Sequence, residues 1–177
     1  EKASVMLHDF ASLIRMVLEN SSQPDIRLED EIKLLETYLK LEQIRTNNGF
    51  DYIVAVDEII STDFIRIPTM MLQPFLENAI WHGFKFISYK GIIRVDFSMQ
   101  GNSICCTVTD NGIGRNKAQI NNNDNVKKSM AIQIIRNRIG LLNHSLTDNK
   151  ASLEIVDLVD EHQQATGTRV IIRLPIL

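Results

Sequence analysis

The segment Leu72-Gln73-Pro74-Phe75-Leu76-Glu77-Asn78-Ala79-Ile80-Trp81-His82-Gly83 joins an apolar spacing to a cluster of polar groups. Leu72, Phe75, Leu76, Ala79 and Ile80 recur at helical intervals, so one face of a helix packs inward. Asn78 and His82, four residues apart, share another face, with Glu77 one position round from Asn78. Gly83 ends the helix. A carboxamide, a carboxylate and an imidazole at one helix end read either as a polar surface or as a site, and a second stretch favours the site. Ser103-Ile104-Cys105-Cys106-Thr107-Val108-Thr109 is apolar and β-branched, a strand that runs into Asp110-Asn111-Gly112-Ile113-Gly114. Glycine has no Cβ and tolerates positive φ, so this turn lets backbone come close to a ligand. Asp-Asn-Gly alone is also ordinary turn chemistry.

Together, in this order and about thirty residues apart, the two motifs resemble the N box and G1 box of the ATP-binding superfamily that includes gyrase and the histidine kinases. Within it, the Leu72 to Gly83 stretch is most similar to the LytS/YehU-type bacterial sensor histidine kinases, and the likeness runs along nearly the whole chain. The fold this implies is α+β: a two-layer α/β sandwich, a mixed sheet under three helices, preceded by a helical hairpin. The expected division is 1–48 as a partial dimerisation hairpin and 49–177 as the ATP-binding catalytic domain.

Composition agrees with a globular domain. The chain has 177 residues, 44% of them hydrophobic, and a formal net charge of −3, so nothing predicts an electrostatic grip on nucleic acid or on anionic lipid. Cys105 and Cys106 are adjacent on a strand and point to opposite faces, as small buried hydrophobes rather than a disulfide or zinc site. No apolar run reaches the ~20 residues that span a bilayer. The abrupt start on an amphipathic pattern suggests a fragment, the cytoplasmic portion of a membrane-anchored bacterial protein that itself makes no membrane contact.

Taken in order, residues 4–19 carry Val5, Ile14, Val17 and Leu18 at helical spacing until Asn20-Ser21-Ser22-Gln23-Pro24 breaks it. Leu28, Ile32, Leu35 and Leu39 make a second helix. The hairpin resembles the family's dimerisation region, Tyr38 to Arg45 most clearly, and a homodimer through these helices is the implied assembly. Phe50 to Val56 alternates as a strand, and Pro68 suits the first turn of the next helix. Gly91 to Met99 and Ser103 to Thr109 flank the turn Gln100-Gly101-Asn102, an antiparallel hairpin. Lys117 to Lys128, rich in asparagine, reads as a surface loop, which the resemblance makes an ATP lid. Helical spacing resumes at Met130, and 152–159 and 168–174 read as closing strands.

The resemblance assigns the chemistry. Asp110 would read the exocyclic amine of adenine, with Thr168 steadying it and Gly112 and Gly114 shaping the turn. Asn78 would supply an oxygen to magnesium. Glu77 would orient a water, or is a plain surface acid; relatives that hydrolyse ATP carry a carboxylate four residues before the asparagine, where Pro74 stands. His82 is a candidate phosphate contact or a satisfied half-buried histidine, and Trp81 replaces a lysine common in relatives. A Gly-x-Gly that meets phosphate is here Ser129-Met130-Ala131, with both glycines replaced. The phospho-accepting Asn-Pro-His-Phe-type motif is absent, and His8 lacks its flanks, so the acceptor is expected upstream. The implied function is ATP- and magnesium-dependent transfer of phosphate to that histidine and on to a response regulator. Two alternatives stand beside it: a degenerate, non-catalytic nucleotide-binding signalling module, and a serine kinase of the anti-sigma-factor type.

Overall fold

The computed structural model describes residues 2–115, 122–144, 146 and 149–176; at 2–6, 9, 21, 122–129 and 131 it describes backbone alone. Its centre is a mixed five-stranded sheet. The strands are β2 (Phe50–Val56), β4 (Gly91–Gln100), β5 (Ser103–Asp110), β6 (Ser152–Val159) and β7 (Ala165–Pro175), in the spatial order β2-β4-β5-β7-β6. Among the described strands of this sheet only β2 and β4 run parallel; the other neighbours are antiparallel. Along β4, Ile93, Val95 and Phe97 point into the core while Ile92 and Arg94 face water. Such alternation is what a sheet covered on one face requires.

The covering layer is helical. It consists of α2 (Leu28–Arg45), α3 (Gln73–Asn78) with the turn that continues it, and α4 (Asn122–His144). Leu28, Leu35 and Leu39 of α2, Phe75 and Leu76 of α3, and Ile135 and Ile139 of α4 join the strands in one hydrophobic cluster. The second helix of the expected hairpin thus contributes to the same core as the sheet. Helix α1 (Lys2–Ser21) packs along α2 and leaves Leu7, Phe10, Ile14 and Leu18 exposed. Among the described residues no helix is long and apolar enough to cross a membrane.

Several local readings need correction. Two three-residue strands, β1 (Asp25–Arg27) and β3 (Arg66–Pro68), pair antiparallel and are braced by the Arg66–Asp25 ion pair. Pro68 therefore ends a strand, and the proline that opens α3 is Pro74, at a position where a missing N–H costs nothing. Met70 between them takes the left-handed conformation, with φ of 55°. Helix α4 begins at Asn122 rather than Met130, so residues 122–128 of the expected loop are helical; asparagine favours a helix start, where its side chain can meet free amides. Of that loop, 117–121 lie outside the described residues. Cys105 and Cys106 are buried free thiols, as expected.

Candidate functional site

The polar motif of α3 sits where the helix changes character. After Asn78 the chain widens into one π turn, Ala79–Gly83, closed by a bond of 3.0 Å from the Phe84 amide to the Ala79 carbonyl. Such a wide turn accommodates an extra residue and re-aims the side chains around it, a device common at functional sites. Ala79 and Ile80 stay buried, Trp81 turns outward, and Gly83 arrives against the Asp110 turn.

Glycines make that arrival possible. A Cβ on Gly83 would stand 3.4 Å from Asp110 Oδ1. On the other strand, a Cβ at Gly167 would overlap the Asp110 carbonyl oxygen, and Gly167 has φ of 145°. Gly114, at φ 71°, puts its bare Cα where a Cβ would meet Ala165 at 2.8 Å. The glycines that suggested a close approach to ligand are thus also needed for backbone to meet backbone. Inside this collar Asp110 is buried, and its Oδ1 accepts a 2.8 Å bond from the Gly112 amide that fixes the carboxylate's direction. Register places Thr168 directly beside it.

The result is a cavity walled by Phe75, Ala79, Val108, Ile132, Ile155 and Val170, with Asn78, Asp110, Gly114, Arg115 and Thr168 as its polar groups. An apolar-walled slot with a few convergent polar groups is the usual form of a small-molecule site. Asn78, Asp110, Gly114 and Thr168 were singled out in the sequence, and the fold brings all four together. Gly112 supports the turn from behind. Arg115 was missed, although it directly follows the glycine turn; it lines the cavity and is held by Asp157 through bonds of 2.6 and 2.7 Å.

Other candidates lie elsewhere. Glu77 is exposed, outside the cavity lining, and accepts a 3.2 Å bond from Gln73. Partial burial and then the charge of Glu42 raise its carboxyl above the ordinary range, while the Gln73 bond lowers it. His82 lines a separate cleft on the α2 side, with Arg45, Trp81 and Lys85. Ser129 and Ala131 lie in α4, their side chains outside the described residues.

Comparison with known proteins fits this geometry. Residues 1–50 match the histidine kinase family model. The sensor protein LytS of Oceanobacillus iheyensis is 28% identical over 147 residues, covering 78% of this chain and 25% of its own length. In sequence the chain resembles the sensor histidine kinases. The sensor histidine kinase YpdA of Escherichia coli is 27% identical over 81% of the chain and 24% of its own length, so this chain spans about a quarter of the length of the curated relatives it matches. In three dimensions the histidine kinase domain of the blue-light activated histidine kinase from Erythrobacter litoralis superposes with a TM-score of 0.61 at 15% identity, over 97% of this chain and 75% of that one. The catalytic domain of histidine kinase ThkA gives 0.56 at 14% identity, over 86% and 95%. These likenesses show the fold; the site rests on the geometry above.

Proposed function

We propose that this chain binds magnesium-ATP in the Asp110 cavity and donates the γ-phosphoryl group to a histidine outside this sequence, from which a response regulator receives it. The observation that carries the reading is the convergence of Asn78, Asp110 and Thr168, from three separated segments, on one apolar-walled cavity. The residues fit the ligand. A buried carboxylate accepts from the exocyclic amine of adenine and meets an oxygen in guanine, while the apolar walls suit the ring. Asn78 offers the hard oxygen that magnesium prefers, and bound magnesium would offset charge on the phosphates.

The sequence holds four histidines, His8, His82, His144 and His162. None lies in an Asn-Pro-His-Phe-type setting, which is why the acceptor is placed elsewhere. We assign dimer contacts to α1, whose exposed Leu7, Phe10, Ile14 and Leu18 form a stripe, and assign α2 to the nucleotide domain whose core it shares.

Titration with magnesium-ATP and magnesium-GTP tests the nucleotide. ATP at a hundred times its Kd should add about 2.7 kcal/mol of stability, and GTP far less. No melting shift with saturating ATP would overturn binding. Binding without transfer to a longer, ATP-dead partner carrying the acceptor would favour a non-catalytic nucleotide module.

A further inference from the structure

Glu31 is an acid with no exposed surface in the middle of a kinase-like core, and it takes no part in the cavity. Its Oε2 accepts a 3.4 Å bond from the Met70 amide, and its Oε1 has no hydrogen-bond partner among the described residues. On the opposite side, Arg138 of α4 donates from Nη1 to the Thr69 carbonyl at 2.7 Å and from Nη2 to the Thr69 hydroxyl at 3.3 Å. The Thr69 carbonyl and the Met70 amide are the two ends of one peptide group. A single peptide plane is therefore held at its oxygen by α4 and at its nitrogen by α2. It is also the plane that leads into the left-handed Met70, a conformation that is strained for a non-glycine residue. The two bonds, from two different helices, act on the orientation of that plane.

The location gives the grip a consequence. Gln73, three residues beyond Met70, starts α3, which carries Asn78; Ile132, on the same helix as Arg138, forms the facing apolar wall of the cavity. We propose that Glu31 and Arg138 are positioning residues for the nucleotide cavity, gripping the Thr69–Met70 peptide from both ends so that the Asn78 wall and the Ile132 wall keep a fixed separation. The proposal deepens the nucleotide reading and rests on it. Neither residue lines the cavity, so any effect on ligand has to pass through the gripped peptide.

The test uses the whole chain, with ADP affinity measured well below the melting point of each variant and folding checked by circular dichroism. Arg138→Ala and Glu31→Leu should each weaken ADP roughly fivefold or more, in the usual range of coupling between linked sites. Glu31→Gln, which keeps an acceptor for the Met70 amide, should bind nearly as the parent does. The decisive arm adds Met70→Gly to Arg138→Ala: glycine adopts the left-handed conformation without cost, so ADP affinity should return toward the parent value. Lowered melting points with unchanged ADP affinity would reduce the grip to a stabilising contact and overturn the proposal, as would failure of glycine to rescue. If the parent itself bound no ADP, the nucleotide reading would fall. The grip would then be judged in the ligand-free chain, where Arg138→Ala must speed amide hydrogen exchange across residues 76–83 and Met70→Gly must slow it again.

Discussion

The backbones of Gly83 and Gly112 are in contact: a Cβ on Gly112 would stand 2.7 Å from both the Cα and the carbonyl oxygen of Gly83. The Ile113 amide fastens the contact with a 3.0 Å bond to that same oxygen. The helix end that carries Asn78 and the turn that carries Asp110 are therefore one joint, and their side chains reach a common cavity because no side chain separates the backbones.

This joint sets the first prediction. Gly112→Ala should destabilise by about 1–3 kcal/mol, since the methyl group meets backbone that cannot rotate away. Gly140, exposed in α4, has nothing within 4 Å of its would-be Cβ, and Gly140→Ala should stabilise by about 0.5–1 kcal/mol through helix propensity. Urea denaturation of both variants checks the contrast. The two changes should be opposite in sign; a neutral Gly112→Ala would mean that the joint is not tight.

Asp110→Asn and Asn78→Ala should separate by ligand. The first replaces an acceptor oxygen with a donor and costs roughly 1.5–3 kcal/mol of binding for adenosine, ADP and ATP alike. The second should leave adenosine binding near the parent value and weaken magnesium-ATP. Calorimetric titration of folded variants with all three ligands decides it, and a shared loss of adenosine binding would remove Asn78 from the metal.

Glu31 makes stability depend on pH. Burial pushes its carboxyl from 4.5 up to about 7, against the opposing effects of the Met70 amide and Arg138; Cys106 of β5 also faces it. The folded value lies above the unfolded one, so the folded chain holds the proton more tightly. The resulting stabilisation is complete below about pH 4.5 and is lost as pH rises through about 7, amounting to about 3 kcal/mol at most. Glu31→Gln cannot ionise, so its stability should be flatter across that window and should exceed the parent's near pH 8. Urea midpoints over the range give the answer; identical pH slopes in the two proteins would exclude the ionisation of Glu31 as the cause.

Arg45 lies 4.4 Å from the centre of the Trp81 ring and bonds Glu42 as well. Removing the guanidinium with Arg45→Ala should cost about 0.5–1 kcal/mol and leave the indole wetter. Trp81 is the sole tryptophan, so its emission should move to longer wavelength without ambiguity. An unshifted spectrum would show that the stacking seen here is not kept in solution.

The parts of the site that were readable before the structure were those with a local signature. Asp110 and its glycines stand together in the chain, and the helical spacing around Asn78 marks a buried face, so the motifs were accessible from residue order, and the mixed sheet through the family resemblance those motifs carry. Glu31 was not, because an acid among Glu29, Asp30 and Glu31 in a first helical turn reads as a favourable match to the helix dipole rather than as a buried group. The Arg138 to Thr69 bond spans 69 residues, a separation that periodicity does not address. Strands β1 and β3 have three residues each, too few to show alternation. The start of α4 was hidden because asparagine marks both loops and helix beginnings.

The place of β5 in the sheet also orders events in time. Its partner on one side, β4, is reached through a tight hairpin, whereas its partner on the other side, β7, comes last in sequence among the described strands. Contacts between near neighbours form fast and those between distant segments form late. During synthesis Asp110 is therefore laid down on an open strand edge, and the pocket around it is completed only when Gly167 and Thr168 dock, after the other four strands of the sheet have been made. A ligand that binds the finished pocket would act as a latch on that last pairing.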